Sequence, residues 1–286
     1  MYLSNIIVNY NNSDVLNDCL ESIYKTVDGI EFEIIVIDNS LKDNGIESIK
    51  KKFPEIKLIK NNKNVGFSRA NNQAFKISEG DILLFLNPDI VLAEGAVTNM
   101  VTYLKSHKEI GVLGPKILNM DETLQYSCRS FPYVWTGLFN RYSLITKLFP
   151  NNYFTTKYLL TDFDHNDVRE VDWVSGSCMM ISKDIFKKVG SFDENYFLFN
   201  EDVDLCKNMI NIGHKTVYYP FAKVYHRITS SNNKVDPNII IKRHIGMSYY
   251  FKKHHYKNIG VRCFVNFFIA LRCFSQLLFN LFRARG

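Results

Sequence analysis

The sequence predicts an α/β fold: a mixed, mostly parallel sheet of Rossmann-like character, flanked by helices and followed by a C-terminal helical extension. Three observations carry this reading. Short β-rich runs alternate with segments of helical periodicity. Each early run ends abruptly in polar residues: residues 6–8 in Asn9-Tyr10-Asn11-Asn12, residues 32–37 in Asp38-Asn39-Ser40, and residues 82–86 in Asn87-Pro88-Asp89. At 286 residues and 46% hydrophobic composition, the chain can bury a sizeable core beneath such a sheet. In open sheets of this kind ligands bind beyond the carboxyl ends of the strands, so the polar tips are where chemistry is expected.

Taken in order, residues 6–8 form the first strand. Ser13 is read as the N-cap of a helix with Leu16, Cys19, Leu20 and Ile23 on one face. Residues 32–37 are the second strand, followed by a helix over 45–52 and a strand over 56–60. Asn64-Val65-Gly66-Phe67-Ser68 opens a helix through about Ile77, and the unbroken apolar run 82–86 is a buried strand. A helix from Glu94 to His107 and a strand from Val112 to Leu118 follow. Residues 120–170 are irregular, aromatic and mixed in charge, and are expected to form a mobile loop or lid. Order returns at 171–181. A short helix runs from Ser182 and stops at Gly190, Glu201-Asp202 opens a helix closed by Gly213, and residues 216–219 form a strand leading to Val224-Tyr225-His226.

The net charge of +6 conceals an asymmetry. After Asp204 there are fourteen Lys and Arg against one acid, Asp236, a local balance of +13 that leaves −7 over residues 1–204. A basic C-terminal third favours an anionic partner such as phosphate groups or acidic lipid. No zinc-finger, RNP or helix-turn-helix signature accompanies it, so nucleic acid is not an expected partner. The six cysteines show no CxxC spacing and lie mostly in apolar runs, the pattern of buried free thiols in a reducing compartment. The N-terminus enters its first strand without a basic leader, and the expected location is the cytoplasm.

From Asn258 onward, phenylalanines and leucines are interspersed with Arg262, Arg272, Arg283 and Arg285 and no acid. The apolar stretches read as too interrupted to span a membrane. They are expected to form a basic amphipathic helix on the inner face of the cell membrane, with packing on its own domain or in a homodimer as the alternative.

Several residues stand out on their own chemistry. Asp89 is a candidate ligand for a hard cation, and Pro88 restricts its own φ and pushes Asn87 toward extended geometry, aiming both polar side chains. Asn64 and Gly66 precede a helix N-terminus, where Gly66 permits a tight turn and the helix start favours an anion. Arg69 lies in the first turn of that helix, where a cation opposes the macrodipole unless it meets an anion or a carboxylate. Asp38, at a strand end, is either an acceptor for nucleoside hydrogens or an Asx-turn acid.

Together these segments resemble family 2 glycosyltransferases of the GT-A fold, and within them the rhamnosyltransferase-like branch. The resemblance runs over about residues 3–230. Its motifs are Ile-Ile-Val-Asn-Tyr-Asn at the start, Val-Ile-Asp-Asn-Ser at 36–40, Asn-Val-Gly-Phe-Ser-Arg-Ala-Asn-Asn at 64–72, Leu-Asn-Pro-Asp at 86–89, Trp-Val-Ser-Gly-Ser at 173–177, and Phe-Asp-Glu with Glu-Asp-Val-Asp-Leu-Cys across 192–206. It implies that Asn9, Tyr10 and Asp38 contact the nucleoside of a nucleotide-sugar donor. Asn87-Pro88-Asp89 matches the metal motif of such enzymes, implying Asp89 and, after the last core strand, His226 as ligands of Mg2+ or Mn2+. Asn87 departs from the acidic form of that motif and removes one charge. Asp202 is implied as the general base of an inverting displacement with Glu201 supporting it, and Trp173 and Gly176 as borders of the donor sugar and acceptor, a buried core role being the rival for Trp173.

The chain is therefore expected to comprise a glycosyltransferase domain over residues 1–230 and a basic, amphipathic helical extension over 231–286. It is expected to move a rhamnose-like sugar from a dTDP-, UDP- or GDP-sugar to a glycan or lipid-linked acceptor in cell-surface polysaccharide synthesis. A sugar-nucleotidyltransferase would want a Gly-rich, basic phosphate loop after the first strand, and Asn9 to Ser13 supplies neither glycine nor base. A non-catalytic module of the same fold would have lost Asp89 or Asp202, and both are present.

Overall fold

The computed structural model describes residues 2–41, 45–133, 148–149, 152–227 and 235–282. Its strands are β1 (Tyr2–Asn9), β2 (Glu31–Asp38), β3 (Lys57–Lys60), β4 (Ile82–Leu86), β5 (Ile90–Leu92), β6 (Ile110–Leu118), β7 (Cys128–Arg129), β8 (Arg169–Val171), β9 (Trp173–Val174), β10 (Cys178–Ser182) and β11 (Lys215–His226). Its helices are α1 (Ser13–Thr26), α2 (Ile46–Lys52), α3 (Phe67–Ile77), α4 (Ala96–Ser106), α5 (Tyr153–Leu159), α6 (Lys183–Lys188), α7 (Glu201–Asn211), α8 (Pro237–His254) and α9 (Ile259–Leu281).

Alternating side chains along the strands divide the core into two layers. Leu3 and Ile7 of β1 join one cluster with Leu16 and Leu20 of α1, whereas Ile6 and Val8 join the other with Ala70 and Ala74 of α3. All five residues of β4 are buried, as its unbroken apolar run requires for a strand covered on both faces. The sheet runs β3-β2-β1-β4-β10-β6-β11-β5, with β8 also paired to β11. β3, β2, β1 and β4 are parallel, which sets their polar carboxyl ends along one edge. β10 runs antiparallel between β4 and β6, and β11 is parallel to β6.

Some local expectations shift. Ser13 is the first residue of α1 rather than its cap: Asn12 occupies the cap position, and the buried Ser13 hydroxyl has no hydrogen-bond partner. Residues 215–226 form one strand instead of two, because β11 absorbs a register shift between Tyr219 and Lys223 and pairs with β8 before it and β5 after it. Of the expected lid, residues 134–147 and 150–151 lie outside the described residues, and the described remainder supplies β7, α5 and β8.

The expectation that the tail is too interrupted to span a membrane is corrected. α9 is continuous for 23 residues at mean hydropathy 1.5 and is long and apolar enough to cross a bilayer by length and composition. Its two arginines, one early and one in the middle, are too few to lower that mean below the range of a span. The expected division at 230/231 falls in residues 228–234, outside the described set. Tyr250 and Phe251 of α8 and Val265 and Ile269 of α9 are buried in the same cluster as Phe85 and Phe186.

Candidate active site

The parallel register places Asn9 opposite Asp38 at the carboxyl ends of β1 and β2. Asn9 is fully buried, and its Nδ2 donates to Asp38 Oδ1 at 2.9 Å. Ser40 adds its hydroxyl at 2.6 Å and its backbone N–H at 3.2 Å to the same oxygen. Three donors on Oδ1 fix the carboxylate plane. Tyr10, one residue beyond β1, is 40% exposed and the only one of the three whose ring reaches solvent broadly.

The next loop is built against the segment after α6. Gly66 has φ of 88°, and a Cβ there would lie 2.6 Å from the carbonyl oxygen of Phe197. That carbonyl accepts the N–H of Phe67 at 2.7 Å, so the first turn of α3 meets protein backbone at this position. Asn64 Oδ1 accepts the Gly66 N–H at 2.9 Å and holds the turn. Arg69, expected to seek an anion, donates from Nε to Glu194 Oε2 at 2.9 Å. Asn72 completes the seam by donating to the Phe192 carbonyl and accepting its N–H. Motif residues 64–72 therefore brace residues 192–197.

Asp89 and His226 converge because β5 reverses the chain after β4 and pairs antiparallel with the end of β11, His226 opposite Ile90. The Arg227 N–H then donates to the Asp89 carbonyl at 2.9 Å. Asp89 Oδ1 lies 3.2 Å from His226 Nε2, is buried, and has no hydrogen-bond donor. Gln125 sets the tautomer of the ring. Its Nε2 donates to the His226 carbonyl at 3.0 Å and to Asn119 Oδ1 at 2.7 Å, which leaves Oε1 to accept from His226 Nδ1 at 2.9 Å. With Nδ1 engaged in this way, Nε2 of the neutral imidazole is the nitrogen that offers a lone pair beside the Asp89 carboxylate, an arrangement complementary to a cation. The pair fits a divalent metal. Among the described residues no third His, Cys, Asp or Glu joins it, so the remaining ligand positions fall to substrate oxygens or water.

Asp202 stands at the start of α7. Its Oδ2 accepts the Gly176 N–H at 3.0 Å and its Oδ1 the Val203 N–H at 2.8 Å. A Cβ at Gly176 would sit 3.3 Å from Asp202 Cβ, so a small residue lets the two segments meet. The adjacent Ser177 carbonyl accepts the Asn87 N–H at 2.8 Å. Two successive residues of the 175–177 turn thus tie the carboxylate of Asp202 to the tip of β4. Glu201 is 5% exposed, and its Oε2 has no partner. Burial, reinforced by the neighbouring Asp202 charge, pushes the Glu201 carboxyl well above its usual range. Burial also raises Asp202, but the Gly176 and Val203 N–H groups and Arg129 oppose it. Of the two, Glu201 is pushed further toward its neutral form.

Trp173 lies elsewhere. It is 7% exposed, its indole N–H donates to the Ser130 carbonyl at 2.9 Å, and the Arg129 guanidinium lies over its ring at 5.2 Å. With its N–H paired and its ring covered, it packs in the core and presents no open face to a sugar. Gln125 was not singled out from the sequence. It sits in the irregular stretch after β6 with no motif around it, and only the pairing of β11 with β5 shows what it contacts.

Residues 4–190 match the model for glycosyl transferase family 2. Among curated proteins, the chain is 28% identical over 229 residues to N-acetylglucosaminyl-diphospho-decaprenol L-rhamnosyltransferase of Mycobacterium tuberculosis, covering 76% of this chain and 73% of that one. It is also 28% identical over 232 residues to rhamnosyltransferase WbbL of Escherichia coli, covering 77% and 81%. Among solved structures, GalNAc-T7 with UDP, GalNAc and Mn2+ superposes with a TM-score of 0.62 at 17% identity over 87% of this chain and 50% of that chain. The mannosyltransferase PcManGT of Pyrobaculum calidifontis with GDP-Man and Mn2+ superposes at 0.59 and 15% identity, over 88% and 63%. The chain therefore spans half to two thirds of these structures, and at such identity they bear on the fold alone.

Proposed function

The chain belongs to glycosyl transferase family 2, and from that premise we propose an inverting enzyme that moves a rhamnose-like sugar from a nucleotide-sugar to a glycan on a lipid-diphosphate carrier. The observation that carries the reading is the 175–177 turn, which ties Asp202 to the strand tip bearing Asn87 and Asp89. Base and metal motif are thereby held at one edge of the sheet, where nucleotide ligands bind in folds of this kind. The named activities of the mycobacterial and Escherichia coli relatives support the choice of sugar and, for the first, of acceptor.

In this reading Asp38, oriented by Asn9 and Ser40, accepts hydrogen bonds from the nucleoside, and Tyr10 borders it. Asn64, Gly66 and Arg69 act through the seam they make with residues 192–197. Asp89 and His226 would hold Mg2+ or Mn2+, with Gln125 behind the histidine and Asn87 at the neighbouring position. Bound there, the cation neutralises the charge that develops on the departing diphosphate. Asp202 takes the proton of the acceptor hydroxyl as its oxygen attacks the anomeric carbon from the side opposite the diphosphate. The new carbon–oxygen bond forms as the bond to the diphosphate breaks, which inverts the centre. Glu201, neutral, leaves Asp202 the one charged carboxylate of the adjacent pair, while Gly176 shapes the turn that Asp202 leans on.

We place the enzyme at the inner membrane surface through α9. Val265 and Ile269 are buried against the domain, while Phe264, Phe267, Phe268, Leu271 and Phe279 are exposed. Anchored to the domain on one side through Val265 and Ile269, with its phenylalanines facing outward, the helix suits the plane of a membrane more than a crossing of it.

Release of nucleotide from a panel of dTDP-, UDP- and GDP-sugars, with and without Mn2+, tests the assignment. Slow, metal-dependent release from one donor is expected, accelerated by a lipid-diphosphate glycan. Asp202→Asn should lower transfer by about 10²–10⁴-fold while keeping the nucleotide-induced rise in melting temperature. Retained transfer would remove Asp202 from the role. No release and no thermal response with any donor would favour a non-catalytic module.

A further inference from the structure

One face of α8 is given over to the segment that precedes and opens the helix bearing Asp202. Lys242, Gly246, Tyr249 and Lys253 follow helical spacing, with Arg243 and His254 beside them. Lys242 Nζ lies 3.2 Å from the centre of the Phe197 ring, and the Arg243 guanidinium 4.2 Å from that of Phe199. A Cβ at Gly246 would fall 3.1 Å from Asn200 Nδ2 and 3.2 Å from the Phe199 carbonyl oxygen. The Tyr249 hydroxyl donates to Asp193 Oδ2 at 3.0 Å. Lys253 Nζ bridges Asp193 Oδ2 at 2.7 Å and Asp204 Oδ2 at 2.9 Å, and His254 Nε2 donates to Asp204 Oδ1 at 2.6 Å.

The gripped segment needs an external hold. Phe199 and Asn200 are consecutive non-glycine residues in the left-handed region, at φ of 69° and 70°, immediately before Glu201-Asp202. Side chains accept that conformation only where surrounding structure imposes it. The side chain of Asn200, at the cap position, makes no capping hydrogen bond to α7. Asp204 is 1% exposed and sits two residues after Asp202. Its carboxylate takes donors from His254, Lys253, Tyr196 and Asn208, the first two from α8. The Lys253 side chain is itself 28% exposed, and that of His254 is 7% exposed.

We propose that α8 is the template for the Phe199–Asn200 turn, and that Lys253 and His254 are positioning residues that hold Asp202 in its working orientation through Asp193 and Asp204. This goes beyond the sequence-based separation of residues 231–286 from the transferase domain, and it rests on the reading of Asp202 as the base. Lys253 and His254 touch neither substrate nor reacting atoms, and their effect passes through the placement of α7.

The test uses the full-length protein and two readouts. The first is amide exchange at Gly176, whose N–H is bonded to Asp202 Oδ2 and so reports where that carboxylate sits. Lys253→Met is expected to speed exchange at Gly176 by about tenfold, a mid-range coupling for contacting residues, while amides of β4 keep their protection. Lys253→Arg is expected to restore the wild-type rate. The second is turnover, where Lys253→Met and His254→Gln should lower kcat and leave the donor KM unchanged. If Lys253→Met does not fold, Gly246→Ala, which presses on Asn200 and the Phe199 carbonyl, carries both readouts. Unchanged exchange at Gly176 in a folded variant overturns the proposal, as does a KM effect without a kcat effect. A wild-type protein without turnover would count against the base assignment alone, and the exchange readout would still decide the role of α8.

Discussion

Single residues at this site divide into those that hold charge and those that fix where it points. Gln125 is of the second kind. Its two donated hydrogen bonds orient the amide so that its oxygen meets His226 Nδ1. Losing such a partner behind a metal-ligating histidine typically costs about 10–100-fold in metal affinity. Gln125→Leu is therefore expected to weaken Mn2+ binding, measured by titration calorimetry with nucleotide present, by that range and without unfolding. Unchanged affinity would remove His226 from the metal site. Glu201 gives a pH signature instead. Burial keeps its carboxyl protonated above its ordinary value of 4.5, so the folded protein retains a proton that the unfolded chain releases. The stability this group contributes is complete below that value and is lost as pH rises through the folded one. Glu201→Gln, permanently neutral, should match wild type in acid. At neutral pH it should be the more stable of the two, because the wild-type carboxyl must there keep a proton that the unfolded chain releases or bury a charge. Melting temperatures from about pH 4 to pH 8 would show the two curves diverging upward, and parallel curves would contradict the assignment.

At the scale of elements, sequence and structure agree where local pattern decides and part where distant contacts do. The alternation of apolar runs and polar tips made β1, β2 and β4 legible, with Asn9, Asp38 and Asp89 at their ends, because strand burial and strand termination are both local properties. The cation of Arg69 in a helix's first turn was legible as an anomaly. Its partner Glu194, 125 residues away, was not. For Trp173 the resemblance implied a border to the sugar with a buried core role as rival, and the sequence could not choose, because its exposure is set by β7 and Ser130, which no motif announces. The tail shows the same limit: spacing revealed its phenylalanines and arginines, but only packing shows that Val265 and Ile269 face the domain while Phe267 and Phe279 are 64% and 78% exposed. If that outer face lies in anionic lipid, Phe267→Asp with Phe279→Asp should abolish sedimentation with anionic vesicles while leaving turnover on a water-soluble acceptor analogue unchanged. Retained vesicle binding by the double variant would assign α9 to a protein contact instead.

Over the whole molecule, charge and packing together bear on whether the last third is an appendage. Composition sets it apart, since residues 1–204 carry a net −7 while the charged residues after Asp204 are fourteen Lys and Arg against one acid. In the fold this asymmetry is partly internal: Lys253 pairs with Asp193 and Asp204, so α8 sets a cation against acidic residues of the segment around α7. A chain ending at Arg227 would leave Asp204 without its Lys253 and His254 partners and uncover the apolar surface now closed by Tyr250 and Phe251. Breaking one buried ion pair costs about 3–5 kcal/mol, and whole domains are stable by only about 5–15 kcal/mol. The truncated chain is therefore expected to lose cooperative unfolding in urea and to expose apolar surface to a hydrophobic dye. A truncation that instead unfolds cooperatively at the wild-type midpoint would make residues 231–286 a separable extension, and α8 would then have no part in holding Asp202.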